Sequence, residues 1–120
     1  MLSYSPLRSH VKRRTVIVNI HDLGSQAFIA QAMAEDRFVA IHRPTKWSNP
    51  FSHRPNSAAL FKVDSAQEAL RRYAAWLPMQ AELMAALADL QGRVLGCFCA
   101  PRPCHGYILA RFADELDTPA

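Results

Sequence analysis

Between Arg93 and Leu109 the chain reads as a strand, a proline-stiffened turn and a helix start. The strand is Arg93-Val94-Leu95-Gly96-Cys97-Phe98-Cys99, the turn Ala100-Pro101-Arg102-Pro103, and the restart Cys104-His105-Gly106-Tyr107-Ile108-Leu109. An apolar strand feeding directly into a helix start belongs to α/β folds, where strand ends and helix N-termini share one edge and that edge takes ligands. All three cysteines of the protein lie in this unit, with one histidine beside the last. A site in such a chain is expected at this turn.

The rest of the sequence fits around it. A chain of 120 residues, 50% of them hydrophobic, suits one core. The expected organisation is an N-terminal arm over residues 1–14 and a single α/β domain over residues 15–117. No apolar run approaches the roughly 20 residues needed to cross a bilayer, and the N-terminus has no apolar signal core, so no membrane partner is expected. Three clustered cysteines do not make a paired disulfide framework. Reduced thiols and a cytoplasmic location are the expectation. The formal net charge of +4 favours an anionic partner, a small nucleotide-like ligand first and nucleic acid second. Its basic residues are scattered, with only Lys12-Arg13-Arg14 contiguous, so a solvated basic surface accounts for them equally well.

Thr15-Val16-Ile17-Val18-Asn19-Ile20 has the β-branched content of a buried strand and ends at His21-Asp22-Leu23-Gly24. Ser25 is placed to cap a helix from about Gln26 to Glu35, with Phe28, Ile29, Ala32 and Met33 as its apolar stripe. A second strand is expected at Arg37–Ile41, stopped by Pro44, and the prolines at 44, 50 and 55 make residues 43–57 a long loop. Ser65 and Glu68 form a capping-box pattern ahead of Ala69, Leu70, Tyr73, Ala74, Trp76 and Leu77; a further helix runs from Gln80 to Leu90, closed by Gly92. The strand to Cys99 and a helix from Cys104 to about Leu116 complete the order. That order favours a small, mainly parallel sheet with helices on both faces.

Three chemistries are open at the cysteine turn. Alternation puts Cys97 and Cys99 on one side of the strand. With Cys104 and His105 they form Cys-x-Cys-x4-Cys-His, four donors suited to zinc or iron, although neighbours Cys104 and His105 diverge by about 100° on a helix. Alternatively Cys99 or Cys104 acts as a catalytic thiolate, favoured by the helix dipole and by Arg102, with His105 as acid or base. Third, Arg102 and free amides near Gly106 hold an anion, with Arg43, Lys46 and Asn49 as further donors and Trp47 as a stacking face. Against this, Trp47 and Phe51 also suit a plug beneath the loop, and Asn49 before Pro50 suits a turn. His21-Asp22 is a weaker acid/base pair.

Arg43-Pro44-Thr45-Lys46-Trp47-Ser48-Asn49-Pro50-Phe51, Tyr73-Ala74-Ala75-Trp76-Leu77 and Gly96-Cys97-Phe98-Cys99 through Cys104-His105-Gly106 together resemble an uncharacterised family of small bacterial and phage proteins, a domain of unknown function (DUF4326). The resemblance spans about Val16 to Ala113. It departs where the family carries glycine at the positions of His42 and Ser48, and in a long stretch between Asn19 and Phe38. A more distant resemblance, to another uncharacterised α/β family with a cysteine-rich strand end followed by Cys-His-Arg, implies a Rossmann-like sheet. Neither resemblance implies an activity.

The leading expectation is therefore an α/β domain that binds a nucleotide-like or other anionic ligand. Arg43, Lys46, Trp47 and Asn49 would form one wall and Arg102 and Gly106 the other, with Cys99, Cys104 and His105 available for catalysis. The alternative is a zinc- or iron-binding interaction module using Cys97, Cys99, Cys104 and His105.

Overall fold

The computed structural model describes residues 14–55 and 59–116. The expected arm over residues 1–14 therefore lies, except for Arg14, outside the described residues. Five strands are present among them: β1 Val16–Asn19, β2 Phe38–Ala40, β3 Phe51–Ser52, β4 Phe61–Lys62 and β5 Val94–Cys97. The α-helices are α1 Gln26–Ala34, α2 Ala66–Trp76, α3 Ala81–Ala86 and α4 His105–Glu115, with 3₁₀ turns at Leu23–Ser25, Leu77–Met79 and Leu87–Leu90.

The main sheet is parallel throughout, in the order β1-β5-β2, so the last strand lies between the first two. Register partners Val16, Val94 and Phe38 share one face, and Ile17, Leu95 and Val39 share the other. The first face meets Ile29 and Ala32 of α1. The second meets the larger core, including Tyr73, Leu77, Leu87 and Leu90, and Leu109 and Ala113 of α4. Helices thus cover both faces of a small parallel sheet, in a mixed α/β fold. Gly96 leaves room at the centre of β5, where a Cβ would come within 2.4 Å of Phe38 Cζ.

Several local expectations change. Ser25 does not cap α1; its hydroxyl donates to Asp22 Oδ2 at 2.6 Å. Only Ile29 and Ala32 of the expected stripe are buried, while Phe28 and Met33 face solvent. The segment from Gln80 to Leu90 divides into α3 and a 3₁₀ turn. The loop after β2 also contains β3, which pairs with β4 in a two-residue parallel ladder. The capping expectation at Ser65 holds: its hydroxyl accepts from the Glu68 amide at 3.0 Å. Gly92, at φ 75°, occupies the left-handed conformation expected after the last helical turn. No helix among the described residues is long and apolar enough to cross a membrane.

Candidate metal centre

β5 ends at Cys97, and the chain turns through Cys99 and Pro101 to the N-cap of α4, which is Cys104. Alternation along β5 gives Cys97 the same face as Leu95, the face that α4 covers. Cys104 has extended backbone, and its sulfur accepts the Gly106 amide at 3.2 Å, the bond usually made by a serine or aspartate oxygen. The Cys104 thiol also donates to Cys97 Sγ at 3.4 Å. With Cys99, the three sulfurs lie within 4.8 Å of one another, and none is in a disulfide.

Their acidities separate. Hydrogen bonds from the Cys104 and Cys99 thiols pull Cys97 well below an ordinary thiol, and the amides of Ala100 and Cys99 add to this against burial. Cys104 is pushed strongly up by its bonds to Cys97 and Cys99 and by burial, which the Gly106 amide only partly offsets. For Cys99 the bond with Cys104 lowers the value, but the Cys97 bond, burial and the Cys97 charge outweigh it, so the net shift is upward. The three thiols are thus bonded to one another in a way that lowers Cys97 and raises Cys99 and Cys104.

His105 stands outside the sulfur group. Its Nε2 lies 2.8 Å from the Ile41 carbonyl oxygen, and its ring meets Tyr73 edge-on at 5.2 Å. Burial lowers its pKa; the bond to Ile41 and the charge at Cys97 oppose that, while Arg43 and His42 reinforce it. Arg43 and His42 belong to the loop after β2, and the His42 ring packs against Phe98 at 4.5 Å, so the loop expected as a second wall lies beside the turn.

Within the wall the side chains part. Trp47 is 4% exposed and belongs to the core, its carbonyl held by the Tyr73 hydroxyl at 2.9 Å. It has no free face for stacking; Lys46 Nζ lies 5.3 Å from its ring centroid. Asn49 is tied inward, donating to the Ala69 carbonyl and accepting from the Phe51 amide. Arg43 and Lys46 are exposed, Arg43 donating to the Asn49 carbonyl at 2.8 Å. Arg102 is exposed across the turn, where its charge favours the Cys99 thiolate. Gly106 is buried and its amide is already bonded to Cys104, so it is not a free anion donor.

Three residues that the sequence reading passed over complete this edge. Asn19, last in β1, donates to the Phe98 and Ala100 carbonyls at 3.1 and 2.9 Å and so fixes the path of the cysteine turn. Phe98, 46% exposed, stacks on His21 at 5.0 Å and packs against His42 at 4.5 Å. His21 and His42 follow β1 and β2, so these rings join the ends of all three strands. The available signal was the position of Asn19 and His42 immediately at or after strand ends.

A family model, "Domain of unknown function (DUF4326)", matches residues 18–115. The chain belongs to this family. It is also similar to a protein of Enterobacteria phage T4, described as an uncharacterized 12.4 kDa protein in the nrdA-td intergenic region. That similarity is 32% identity over 104 residues, 83% of this chain and 89% of the relative. The match covers the end of β1 and the whole of β5 and α4, so the cysteine turn and the sheet edge lie within the family's span. No solved structure matches the chain.

Proposed function

We propose that this domain is a metal-binding module in which Cys97, Cys99 and Cys104 hold one zinc or iron ion as thiolates. The observation that carries the reading is the convergence of the three sulfurs, with Cys104 and Cys97 3.4 Å apart and all three within 4.8 Å. Tetrahedral zinc with bonds of about 2.3 Å needs sulfurs about 3.8 Å apart, inside that range. The spacing suits a single ion. Amide bonds to the sulfurs of Cys97 and Cys104 favour the thiolate form that a metal requires. Three protein ligands leave one position for an exogenous donor, the pattern of an open rather than a closed site.

A catalytic thiolate is less well supported, because nucleophilic attack needs acidity and access on one atom. Here the acid sulfur, Cys97, is 1% exposed, while the more open Cys99 is pushed upward. A metal resolves that conflict by deprotonating all three sulfurs together. The exposed cations Arg43, Lys46 and Arg102 support an anionic partner for the module, nucleic acid included.

The test is elemental analysis of protein purified without a metal-binding tag. The expected result is about one equivalent of zinc or iron, lost in Cys99→Ser while the fold, read by circular dichroism, remains. Metal-free protein, or metal retained in Cys99→Ser and Cys104→Ser alike, overturns the reading.

A further inference from the structure

The turn after β1 carries chemistry that the sulfur trio does not use. A cleft of about 480 Å³ opens there, at the carboxyl end of the sheet, with Asn19, His21, Asp22, Ser25, Pro101 and Tyr107 in its walls. Its volume is within the range of small-molecule sites, about 300–1,000 Å³. Asn19 is fully occupied in shaping it, its amide hydrogens on Phe98 and Ala100 and its oxygen on the His21 amide. Three other groups have no hydrogen-bond partner among the described residues: the Oδ1 of Asp22, the ring nitrogens of His21 and the hydroxyl of Tyr107. They can bond a ligand without breaking any bond of the fold.

The character of these groups narrows what binds. Among the described residues no lysine or arginine lines the cleft, and the carboxylate there is Asp22, in a chain of net charge +4. A phosphate would meet repulsion from Asp22 with no lysine or arginine of the described lining to offset it, and a cation would face the positive field of the whole molecule. A neutral donor fits best. Two neighbouring hydroxyls can both donate to one carboxylate, forming charge-assisted bonds. The apolar part of the lining is Ile17, Val18, Ala100 and Pro101 with the ring of Tyr107, and the His21 ring is stacked on Phe98 at 5.0 Å. Such walls suit a planar heterocycle.

We propose that this cleft binds an uncharged ligand with vicinal hydroxyls beside a planar ring, the chemistry of a nucleoside, with Asp22 as the acceptor of the diol. The proposal does not rest on the metal centre: among the described residues no cysteine lines the cleft, although Ala100 and Pro101 of its wall belong to the turn between Cys99 and Cys104. A failure of one reading therefore leaves the other standing.

The experiment titrates the full chain with adenosine and with 2′,3′-dideoxyadenosine, followed by amide chemical shifts. Adenosine should move the amides of residues 19–25 and 100–107, and removal of both hydroxyls should weaken binding about tenfold or more. In Asp22→Asn, adenosine should fall to the affinity of the dideoxy compound, whose own affinity is unchanged. Asp22 is exposed and its side chain bonds only Ser25, so the variant should keep the wild-type spectrum elsewhere. Equal affinity for the two nucleosides, shifts confined to other regions, or no shift at about 10 mM adenosine overturns the proposal.

Discussion

At Gly106 the sulfur trio meets the core, and the reason for glycine there is packing. A Cβ would stand 2.8 Å from Ile41 Cδ1, 3.2 Å from Ile17 Cδ1 and 3.3 Å from Cys104 Sγ. In an exposed helix, alanine would gain about 1 kcal/mol over glycine. Here the overlap should win, because Ile41 is 0% exposed and cannot swing into solvent. Overpacking of that kind costs about 1–3 kcal/mol. Gly106→Ala should therefore lower stability by a net amount of about 1 kcal/mol, read from urea unfolding, and should weaken metal retention by displacing Cys104. A stabilised variant would show that the contact relaxes freely. The same contacts explain why the sequence misleads at this position: a glycine after a helix start looks like an opening for a ligand, and only the fold brings Ile41 over it.

Among the elements, those with strong local signals were legible and those that depend on distant partners were not. β1 and β5 carry β-branched or apolar runs, and α2 has both a capping residue and a periodic face; all three appear within a residue or two of their expected bounds. β3 and β4 could not be read, because each has two residues and the ladder rests on a few bonds such as Phe61 N to the Pro50 carbonyl. In α1 the apolar residues surround the helix, so the sequence could not say that only Ile29 and Ala32 would turn inward. The first turn of α2 carries a pH dependence of its own. Hydrogen bonds from Arg71 and then Arg72 hold the Glu68 carboxyl down to about 2, against an ordinary value of 4.5. A carboxyl with a depressed native pKa contributes stability that is complete above the unfolded value and is lost as pH falls through the native one. The expected loss thus lies between pH 4.5 and about 2. Glu68 lies on the surface under two exposed arginines, so solvent and salt screen the effect. Glu68→Gln should flatten the decline of the urea midpoint across that window relative to wild type, and the difference should shrink in high salt. A parallel decline in the two proteins would remove the Arg71–Glu68–Arg72 cluster from the acid response.

Across the whole molecule, the strand order sets where chemistry can occur. Because β5 lies between β1 and β2, its cysteine turn emerges at the middle of the carboxyl edge, with the His21 turn on one side and the His42 loop on the other. The sequence alone located that edge, since strand ends and helix starts are marked by proline, glycine and polar residues. The inward turn of Trp47 was one of the two readings open to it, a plug beneath the loop, whereas the pairing of His105 with Ile41 was not legible, because it depends on a loop folding back onto α4. The same geometry makes the sulfur trio a tie between elements. Cys97 ends the central strand and Cys104 caps the helix that covers it, so an ion bound to both joins the sheet to its largest packing face. A ligand held by the native state alone, at about a thousandfold above its dissociation constant, adds about 4 kcal/mol. For a domain of this size that corresponds to roughly 15 °C in the unfolding midpoint. Chelation should lower the midpoint of the wild-type protein by about that amount, restoration of zinc or iron should recover it, and Cys99→Ser should unfold at the same temperature with or without chelator. If chelator leaves the wild-type midpoint unchanged, the three thiols hold strand and helix together by packing and hydrogen bonds alone.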